Sequence, residues 1–409
     1  MYDVAVMWEW VEIAVRWLHV ITAIAWIGSS FYFIALDLGL HRDRNLASGA
    51  DGEEWQVHGG GFYHIQKYLV APGSMPDHLV WFKWESYATW LSGATLLVLV
   101  YYMGAELYLI DPTVLELTTW QAVGISVASL AFGWVAYNTL CKVFVNANQT
   151  VLMLALFVVL VGMSVFYTQV FSGRAALLHL GAFTATIMSA NVFFIIMPNQ
   201  RIVVADLKAG RKPDPKYGKI AKQRSTHNNY LTLPVVFLML SNHYPLVFAT
   251  QWNWLIASLV FLMGVTIRHW FNTRHARKGS PWWTWGLTAA LFLAIAWLSS
   301  APMKLVEEAA LRGEAVRLAS APGFEDVVGI VQGRCSMCHA AEPGWEGIAW
   351  PPKGVVLETE AQIAHEARRI YMQAGISHAM PPGNLSYMEP EEREAIVRWF
   401  QGVGAEDPV

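Results

Sequence analysis

The sequence predicts an all-α fold in which a polytopic membrane domain of about eight transmembrane helices precedes a small helical C-terminal domain. Two features of the composition lead to this prediction. Of the 409 residues, 55% are hydrophobic and only 14% are charged, whereas soluble domains carry about 25% charged residues. Apolar stretches also recur that reach the roughly 20 residues needed to cross a bilayer, and they stop near residue 301.

The apolar stretches divide the chain into eight predicted spans. These cover residues 9–36, 80–104, 119–142, 151–172, 175–197, 230–250, 252–271 and 282–301. The first has neither a basic n-region nor a small-residue cleavage site, so we interpret it as a retained helix. The change in composition after the last span separates a membrane domain (1–301) from a linker with an amphipathic helix (302–323) and a C-terminal domain (324–409).

Orientation in the membrane follows from the Lys and Arg residues of the connections. The connections after the first, fifth and seventh spans are basic, whereas 105–119 and 241–248 contain no Lys or Arg. This pattern predicts that the odd-numbered connections are cytoplasmic, with the N-terminus and the C-terminal domain on the periplasmic side of a bacterial inner membrane. The formal net charge of −3 indicates no nucleic-acid partner, and membrane lipid is the expected surrounding.

The C-terminal domain contains the segment GRCSMCHAAEPG, residues 333–344. Two thiols at this spacing, Cys335 and Cys338, form thioethers to a haem, and the adjacent His339 presents its imidazole to the iron. The alternatives are a redox-active CxxC and half of a zinc site. The sequence shows neither the βαβ context of the first nor the further Cys/His pair of the second. The motif therefore predicts one covalent haem c.

A soft thioether is the expected second axial ligand of a haem that transfers electrons at high potential. The segment GISHAMPPGN (375–384) offers Met380, whose loop is stiffened by the two prolines that follow. The competing residues nearby are Met372, Met388 and His378. We predict iron ligation by His339 and Met380, which is the arrangement of a class I cytochrome c domain that carries electrons without substrate chemistry.

Three helices are predicted in this C-terminal domain. A short one leads into Cys335, a second covers about 359–373, and a third runs from Pro390 to Gln401. Proline is favourable in the first turn of a helix, which supports the start of the third.

Three histidines of the membrane domain fall at membrane depth on the periplasmic half: His19, His179 and His243. Ionisable residues inside a bilayer indicate function, although a single histidine often only joins two helices through a hydrogen bond. His19 shares one helix face with Ala23 and Trp26. The three histidines are candidate ligands of a haem b, candidate relay or substrate-site residues, or polar packing contacts. Haem b is thus an open second cofactor hypothesis.

The first cytoplasmic connection is unusually polar and rich in glycine. Its sequence WQVHGGGFYHIQKYLVAPGSMPDHLVWFKWES (55–86) allows a tight turn or a close backbone approach to a ligand at Gly59–Gly61. His58 and His64 flank this turn, and the alternative is a flexible connection without a further role. At the end of the fifth span, further polar candidates on the same face are Asn191, Asn199, Gln200 and Arg201.

Five segments, in this order along the chain, resemble the bacterial membrane-bound urate oxidase (urate hydroxylase) family with a fused cytochrome c domain. They are RWLHVITAIAWIGSSFYFIALD, HGGGFYHIQKY, NVFFIIMPNQR, CSMCH and MPPGN. The resemblance implies oxidation of urate to 5-hydroxyisourate in purine breakdown. It also implies that electrons leave to a respiratory-chain acceptor such as a soluble cytochrome c or a terminal oxidase. It assigns no catalytic residues in the membrane domain.

The mechanism expected from the resemblance places a planar purine anion among aromatic, cationic and amide side chains that open toward the cytoplasm. His64 and His227 are the candidate bases that assist proton removal. Two other classes of function remain at this stage. The first is an electron-relay cytochrome c subunit of a larger respiratory complex. The second is a transporter or sensor with a regulatory tail.

Overall fold

The computed structural model describes most of the chain. The described residues are 4–42, 45–69, 72, 76–145, 148–299, 311, 313–346, 348 and 351–402. A helix lies at each of the eight positions predicted for membrane spans, although they differ in length from 13 to 36 residues. Their bounds are α1 (Val4–Gly39), α2 (Trp84–Leu96), α4 (Thr119–Val143), α5 (Gln149–Thr168), α6 (Gly173–Ala190), α8 (Pro215–Ser241), α10 (Asn253–His275) and α11 (Trp283–Ser299).

Among the described residues, five helices are long and apolar enough to cross a membrane, judged by length and composition. They are Val6–Gly39, Thr119–Val143, Gln149–Thr168, Gly173–Lys208 and Asn253–His275. The fourth of these joins α6 to α7 (Met197–Lys208) through a π-helical turn at Asn191–Ile196. A second π-helical turn, Leu97–Tyr102, extends α2 and leads to the short α3 (Ala105–Tyr108). Another short helix, α9 (Pro245–Phe248), lies between α8 and α10.

The helix α8 begins much earlier than its predicted span, which was placed at 230–250. Its first turn is capped by Asp214, whose carboxylate accepts from the Lys216 backbone N–H, and Pro215 follows at the first helical position. The segment KYGKIAKQRSTHNNY is too polar for a hydropathy criterion, so its helical structure was missed. Further along, Pro234 packs into a notch at Gly264 of α10, where an added Cβ would lie 2.4 Å from the proline Cδ.

The expectation of an all-α chain is wrong in one place. Residues 50–68 form an antiparallel hairpin of β1 (Ala50–His58) and β2 (Gly61–Tyr68). The tight turn predicted from the glycine run is confirmed, because Gly59 and Gly60 both have positive φ, as a two-residue type I′ turn requires. At its base, Lys67 of β2 and Lys222 of α8 both form ion pairs with Asp37 of α1, so the hairpin is tied to the helical domain.

The helix α6 lies at the centre of the membrane domain. It packs against α4, α5 and α8, while α8 packs in turn against α10. Small residues permit the close approach: an added Cβ at Gly133 of α4 would lie 2.6 Å from the ring of Phe183. The core consists of apolar and aromatic side chains, among them Tyr137, Tyr167, Phe171 and Phe183, each completely buried. The helix α6 therefore runs through the tightly packed interior of the membrane domain.

The C-terminal domain is a small helical unit with its own core. Its helices are α12 (Glu314–Ala319), α13 (Phe324–Arg334), α14 (Ser336–His339), α15 (Glu360–His365), α16 (Ala367–Ile370) and α17 (Pro390–Gln401). The helix before Cys335 and the one from Pro390 to Gln401 are confirmed. The helix predicted at 359–373 is interrupted, and its last part is a π-helical segment, Tyr371–Ile376.

The last helix anchors the core of this domain. Trp399 stacks on Phe324 with ring centroids 5.6 Å apart, and its indole N–H donates to the Leu318 carbonyl. Ala315 and Leu318 of α12 belong to the same apolar cluster, so the end of the predicted linker packs onto the domain. The rest of the predicted amphipathic helix, at 303–310, lies outside the described residues.

Candidate functional site

The predicted haem ligand His339 is held by the segment that follows it. Its Nδ1–H donates to the Val355 carbonyl at 2.9 Å, and its own carbonyl accepts from the Leu357 N–H at 2.7 Å. An imidazole fixed through Nδ1 presents Nε2 to an iron, which is the usual way in which a second hydrogen bond orients a histidine ligand. The geometry of His339 thus fits axial ligation of a haem.

The two motif cysteines lie at the turn between α13 and α14 and are half-buried. Burial, reinforced by the neighbouring Cys338, raises the pKa of the Cys335 thiol to about 11. A redox-active CxxC depends on a lowered thiol pKa, so this environment disfavours that alternative. Within the described ranges, no group of three or more His, Cys, Asp or Glu side chains is arranged to hold a metal ion, so the zinc alternative finds no ligand set there. The cysteines and His339 fit the predicted covalent haem c.

The loop that carries Met380 is braced by a buried arginine. Arg393 of α17 donates to the Met380 carbonyl at 2.9 Å, to the Ala374 carbonyl at 2.6 Å and to the Asn384 side-chain oxygen at 3.1 Å. Met380 is half-buried, whereas the competitor Met388 lies in the apolar core of the domain and His378 is exposed. The bracing favours Met380 as the second axial ligand, which stays a prediction.

The C-terminal domain touches the membrane domain through three polar contacts. Arg174, at the start of α6, donates to the Lys353 carbonyl at 3.3 Å. Arg368 pairs with Glu9 of α1 at 3.4 Å, and the guanidinium of Arg369 lies 5.3 Å from the ring centroid of Tyr108. Because Lys353 is two residues from Val355, one short segment contacts both the membrane domain and the His339 imidazole.

The three histidines predicted at membrane depth do not share a hydrogen bond or a ring contact among the described residues. His179 is completely buried, with Nδ1 bonded to the Ala175 carbonyl and Nε2 to the Ser126 hydroxyl, both at 2.8 Å. Both of its ring nitrogens are therefore engaged, which does not fit haem ligation in this conformation. His243 is exposed beyond the end of α8.

His19 has a different environment from His179. Its Nδ1 lies 3.0 Å from the Thr89 carbonyl and 3.1 Å from the Ser92 hydroxyl of α2. The ring packs against Gly93, where an added Cβ would lie 2.8 Å from its Cε1. This is a close polar contact between α1 and α2, and it directs Nε2 away from the hydrogen-bonded side. The haem b hypothesis stays a prediction, for which His19 fits and His179 does not.

A buried polar cluster, hereafter the arginine–histidine cluster, lies where α8 crosses α4 and α6. Arg224 is only 4% exposed and donates to the side-chain oxygens of Asn138 at 3.0 Å and Asn191 at 3.3 Å. Its guanidinium carbon lies 4.8 Å from the ring centroid of Tyr137, and its Nε has no partner. In the described part of the chain, this guanidinium meets amides and an aromatic ring but no carboxylate. The cluster thus holds an uncompensated positive charge.

The predicted base His227 belongs to this cluster. Its Nδ1 shares a 2.8 Å hydrogen bond with the Tyr137 hydroxyl, while its Nε2 is buried without a partner. The next residue, Asn228, accepts from the Asn191 side-chain amide at 2.9 Å and donates to the Met188 carbonyl at 2.9 Å. Buried polar atoms are normally satisfied. The unpartnered Nε atoms of His227 and Arg224 therefore make this cluster a candidate site for a polar ligand.

A second buried arginine lies on the opposite side of α8. Arg268 of α10 donates to the side-chain oxygens of Asn229 at 3.2 Å and Asn272 at 3.0 Å, and it covers the ring of Phe31 at 3.9 Å. The Asn229 side-chain amide nitrogen is buried without a partner. Neighbouring residues of α8 thus serve two similar amide–arginine clusters.

The other predicted base, His64, is located in the hairpin and apart from these clusters. Its Nε2 lies 2.8 Å from a Glu53 carboxylate oxygen, and its ring stacks on Trp55 with centroids 4.2 Å apart. Beside the hairpin, a cleft of about 400 Å³ is lined by residues of the strands and of the ends of α1 and α10. These include Tyr32, Glu54, Gln56, Arg274, His275 and Arg277. His64 and His227 share no contact among the described residues.

The sequence model of the urate oxidase N-terminal family matches residues 5–299. The chain belongs to this family. The match ends with α11 and contains both arginine clusters, whereas the CxxCH motif lies beyond it. No curated protein and no solved structure was found to match the chain. Membership of the family indicates an oxidoreductase with a urate-related function.

Several residues of the clusters were missed or misinterpreted from the sequence. Arg224 was counted among the basic residues of a cytoplasmic connection, although it is buried in a helix. Asn191 and His227 were selected, but their partners were not, because these come from other helices. One local signal was available: the run THNNY, at residues 226–230, puts four polar side chains in a row just before the apolar part of the same helix. Asn199, Gln200 and Arg201 do not take part in the cluster contacts found in the described residues.

Proposed function

We propose that this protein is a membrane-bound urate oxidase that converts urate to 5-hydroxyisourate and passes the electrons through a covalent haem c. Urate and one water molecule yield 5-hydroxyisourate, two protons and two electrons. The haem, when attached at Cys335 and Cys338, would accept these electrons one at a time and deliver them to a respiratory acceptor. The family membership and the fit of the His339 environment support this assignment.

The observation that carries the proposal is the uncompensated charge of the arginine–histidine cluster. A buried guanidinium without a carboxylate is costly, by several kcal/mol after relaxation. A planar organic anion with carbonyl oxygens would offset this cost, because it would accept hydrogen bonds from the open Nε–H of Arg224. The aromatic ring of Tyr137 beside the guanidinium suits a flat ligand.

Within this site each side chain has a distinct part. Arg224 binds the anion, and the Asn138 and Asn191 side chains hold the guanidinium in place. The Tyr137 hydroxyl orients the imidazole of His227 through Nδ1, which leaves Nε2 as the proton acceptor. A neutral imidazole is the form that can accept this proton.

The site and the haem domain lie at opposite ends of α6. From Arg174, which contacts the C-terminal domain, to Asn191 the helix spans about 26 Å at 1.5 Å per residue. This distance motivates the haem b hypothesis, in which a second redox group between the ends shortens each transfer. The non-covalent haem content of the purified protein, measured as a pyridine haemochrome, decides that hypothesis.

We further propose the topology expected from the basic connections. In it, eight helices span a bacterial inner membrane, and the N-terminus and the haem domain face the periplasm. This orientation places the arginine–histidine cluster at the cytoplasmic half, where purine breakdown supplies urate, and it places residue 335 on the side where haem is attached to CxxCH.

The test is an anaerobic absorption spectrum of the purified chain before and after addition of urate. We expect the haem to become reduced, and Arg224→Gln to lower the rate by at least about thirtyfold, because removing one member of a buried charge pair costs about 2–5 kcal/mol. Arg211→Gln is the matched control, since Arg211 is exposed and pairs with Asp206. Haem that is reducible by dithionite but never by urate would instead favour the electron-relay function.

A further inference from the structure

We infer that the exposed face of the C-terminal domain around the CxxCH turn is the docking surface for a positively charged protein that accepts one electron at a time. This inference rests on the proposed function only in requiring an electron to leave the domain. It concerns the side chains that surround the turn, and their properties are independent of the substrate.

The centre of this face is apolar and open. Met337 lies between the two motif cysteines and is 51% exposed, while Leu385 and Tyr387 are 52% and 78% exposed. Arg334 connects the two segments, because it donates to the Ser386 carbonyl at 2.9 Å from one turn before Met337. Small apolar centres of this kind are typical of short-lived electron-transfer encounters, which bury little surface.

The border of the face is acidic. The Met337 carbonyl accepts from the N–H groups of Gly344 and Trp345, which holds the 342–346 segment beside it. Exposed carboxylates flank both apolar segments, and they belong to Glu342, Glu346, Glu389 and Glu391. We name these four residues, with Met337, Leu385 and Tyr387, the exit face.

The cations of the domain do not neutralise the exit face. Residues 313–402 contain twelve acidic and seven basic residues. Arg334 pairs with Glu392 at 2.9 Å, and Arg393 is buried against backbone carbonyls. Arg368 and Arg369 point to the membrane domain, at Glu9 and Tyr108. In the described residues, no ion pair joins a basic side chain to Glu342, Glu346, Glu389 or Glu391, so the exit face keeps its negative charge.

This negative charge specifies the partner. Complementary charge steers two proteins into encounter and excludes partners of the same sign, with a smaller influence on affinity. The partner is therefore a basic electron-carrier protein whose own redox centre lies near its surface. Each encounter reduces the partner by one electron, and no covalent bond forms or breaks. Two encounters complete the oxidation of one urate.

The test measures binding without electron transfer. Zinc-substituted mitochondrial cytochrome c, a basic and redox-inert protein, is titrated into the full-length protein in detergent, and its fluorescence anisotropy gives the Kd. We expect binding at about 20 mM salt that weakens at least tenfold at about 300 mM, because the exposed charges are then screened. The triple variant Glu342→Gln, Glu346→Gln, Glu391→Gln should weaken binding about tenfold or more at low salt. Glu389 is left unchanged because it caps α17.

A matched triple variant of equal charge separates the exit face from net charge. It changes Glu314→Gln, Glu325→Gln and Asp326→Asn, which are exposed residues away from the CxxCH turn, and it should leave the Kd within about twofold. Equal weakening by both triple variants, or no salt-dependent binding at all, would overturn the inference. If binding behaves as expected while urate fails to reduce the haem, the docking surface stands and the proposed function fails.

Discussion

Two arginines of the C-terminal domain and two of the membrane domain are balanced in different ways. In the C-terminal domain, Arg334 meets the Glu392 carboxylate at 2.9 Å and Arg369 meets Glu366 at 2.8 Å. In the membrane domain, Arg224 and Arg268 are buried among asparagines and aromatic rings, without a carboxylate among their described contacts. The two arginines of the C-terminal domain are neutralised by carboxylates of the same domain and need no ligand. The pair in the membrane domain is electrostatically incomplete, and this is the basis for the anion site proposed at Arg224.

The same contrast holds for the histidines. His339 has its Nδ1 fixed by a backbone carbonyl, which leaves Nε2 for the proposed haem iron, whereas His227 has Nδ1 fixed by a tyrosine hydroxyl and Nε2 open inside the bundle. The imidazole of His339 is suited to ligating a metal, and that of His227 is suited to accepting a proton. In each histidine, the hydrogen bond at Nδ1 fixes the orientation of the ring and therefore determines which group Nε2 can meet.

The largest expected effect tests the cofactor side of the comparison. The double variant Cys335→Ser, Cys338→Ser should lose all covalent haem, because no thioether can form. Haem staining of the denatured protein measures this loss. Cys141→Ser is the control and should keep the haem, since Cys141 is buried in α4. If haem remains bound to the denatured double variant, it is not attached at Cys335 and Cys338. The proposed exit of electrons through this domain would then have no basis.

The next effect tests the proton side. His227→Gln should lower the rate of urate-driven haem reduction by about 10²-fold or more, because a positioned base contributes about 10²–10⁴-fold. His64→Gln serves as the matched variant and should stay within about twofold, since His64 is engaged with Glu53 and Trp55 in the hairpin. Stopped-flow absorbance under nitrogen gives both rates. If His64→Gln lowers the rate more than His227→Gln does, the base is His64 in the hairpin and not His227.

A smaller effect concerns the second axial ligand. Met380→Ala should lower the reduction potential and remove the long-wavelength thioether–iron band, because a methionine ligand raises the potential of a haem. A spectroelectrochemical titration measures both quantities. Met388→Leu provides the comparison and should change neither, as Met388 packs in the apolar core. The assignment of Met380 is wrong if its band persists in the alanine variant.

The smallest effect concerns the contact between the domains. Arg174→Gln should slow urate-driven haem reduction by about fivefold, because one hydrogen bond of about 1 kcal/mol to the Lys353 carbonyl is lost. Reduction by dithionite should be unchanged, which separates this contact from the haem itself. An unaltered rate with urate would show that the contact does not assist the transfer.

The parts predicted from the sequence are those in which the signal is local. The CxxCH motif, the helix from Pro390 to Gln401 and the positions of the helices in the eight predicted spans depend on neighbouring residues, and the structure has helices at each of these places. The partners of Arg224 depend on residues 33 and 86 positions away. No window of sequence contains such a pairing, and Arg224 by itself is indistinguishable from a solvated charge of a loop.

The hairpin was missed for a related reason. Its strands mix charged, aromatic and glycine residues, and it is stabilised in part by pairing across a turn and by the contacts of Asp37 with Lys67 and Lys222. The turn itself was predictable, because positive φ at two adjacent positions strongly favours glycine. The strands themselves could not be predicted from the sequence, because they are stabilised in part by the contact between the base of the hairpin and the helix α1.

The notch between Pro234 and Gly264 has a consequence for how this sequence can drift. Any side chain at position 264 would enter the proline ring, 2.4 Å from its Cδ, so α10 would have to move outward along α8. Arg268 lies one turn beyond Gly264 on the same face and would move with it, away from Asn229. Two apolar residues without polar chemistry thus set the register of a buried arginine. A side chain at 264 therefore requires room at 234, so the two positions are coupled in any sequence that keeps this packing.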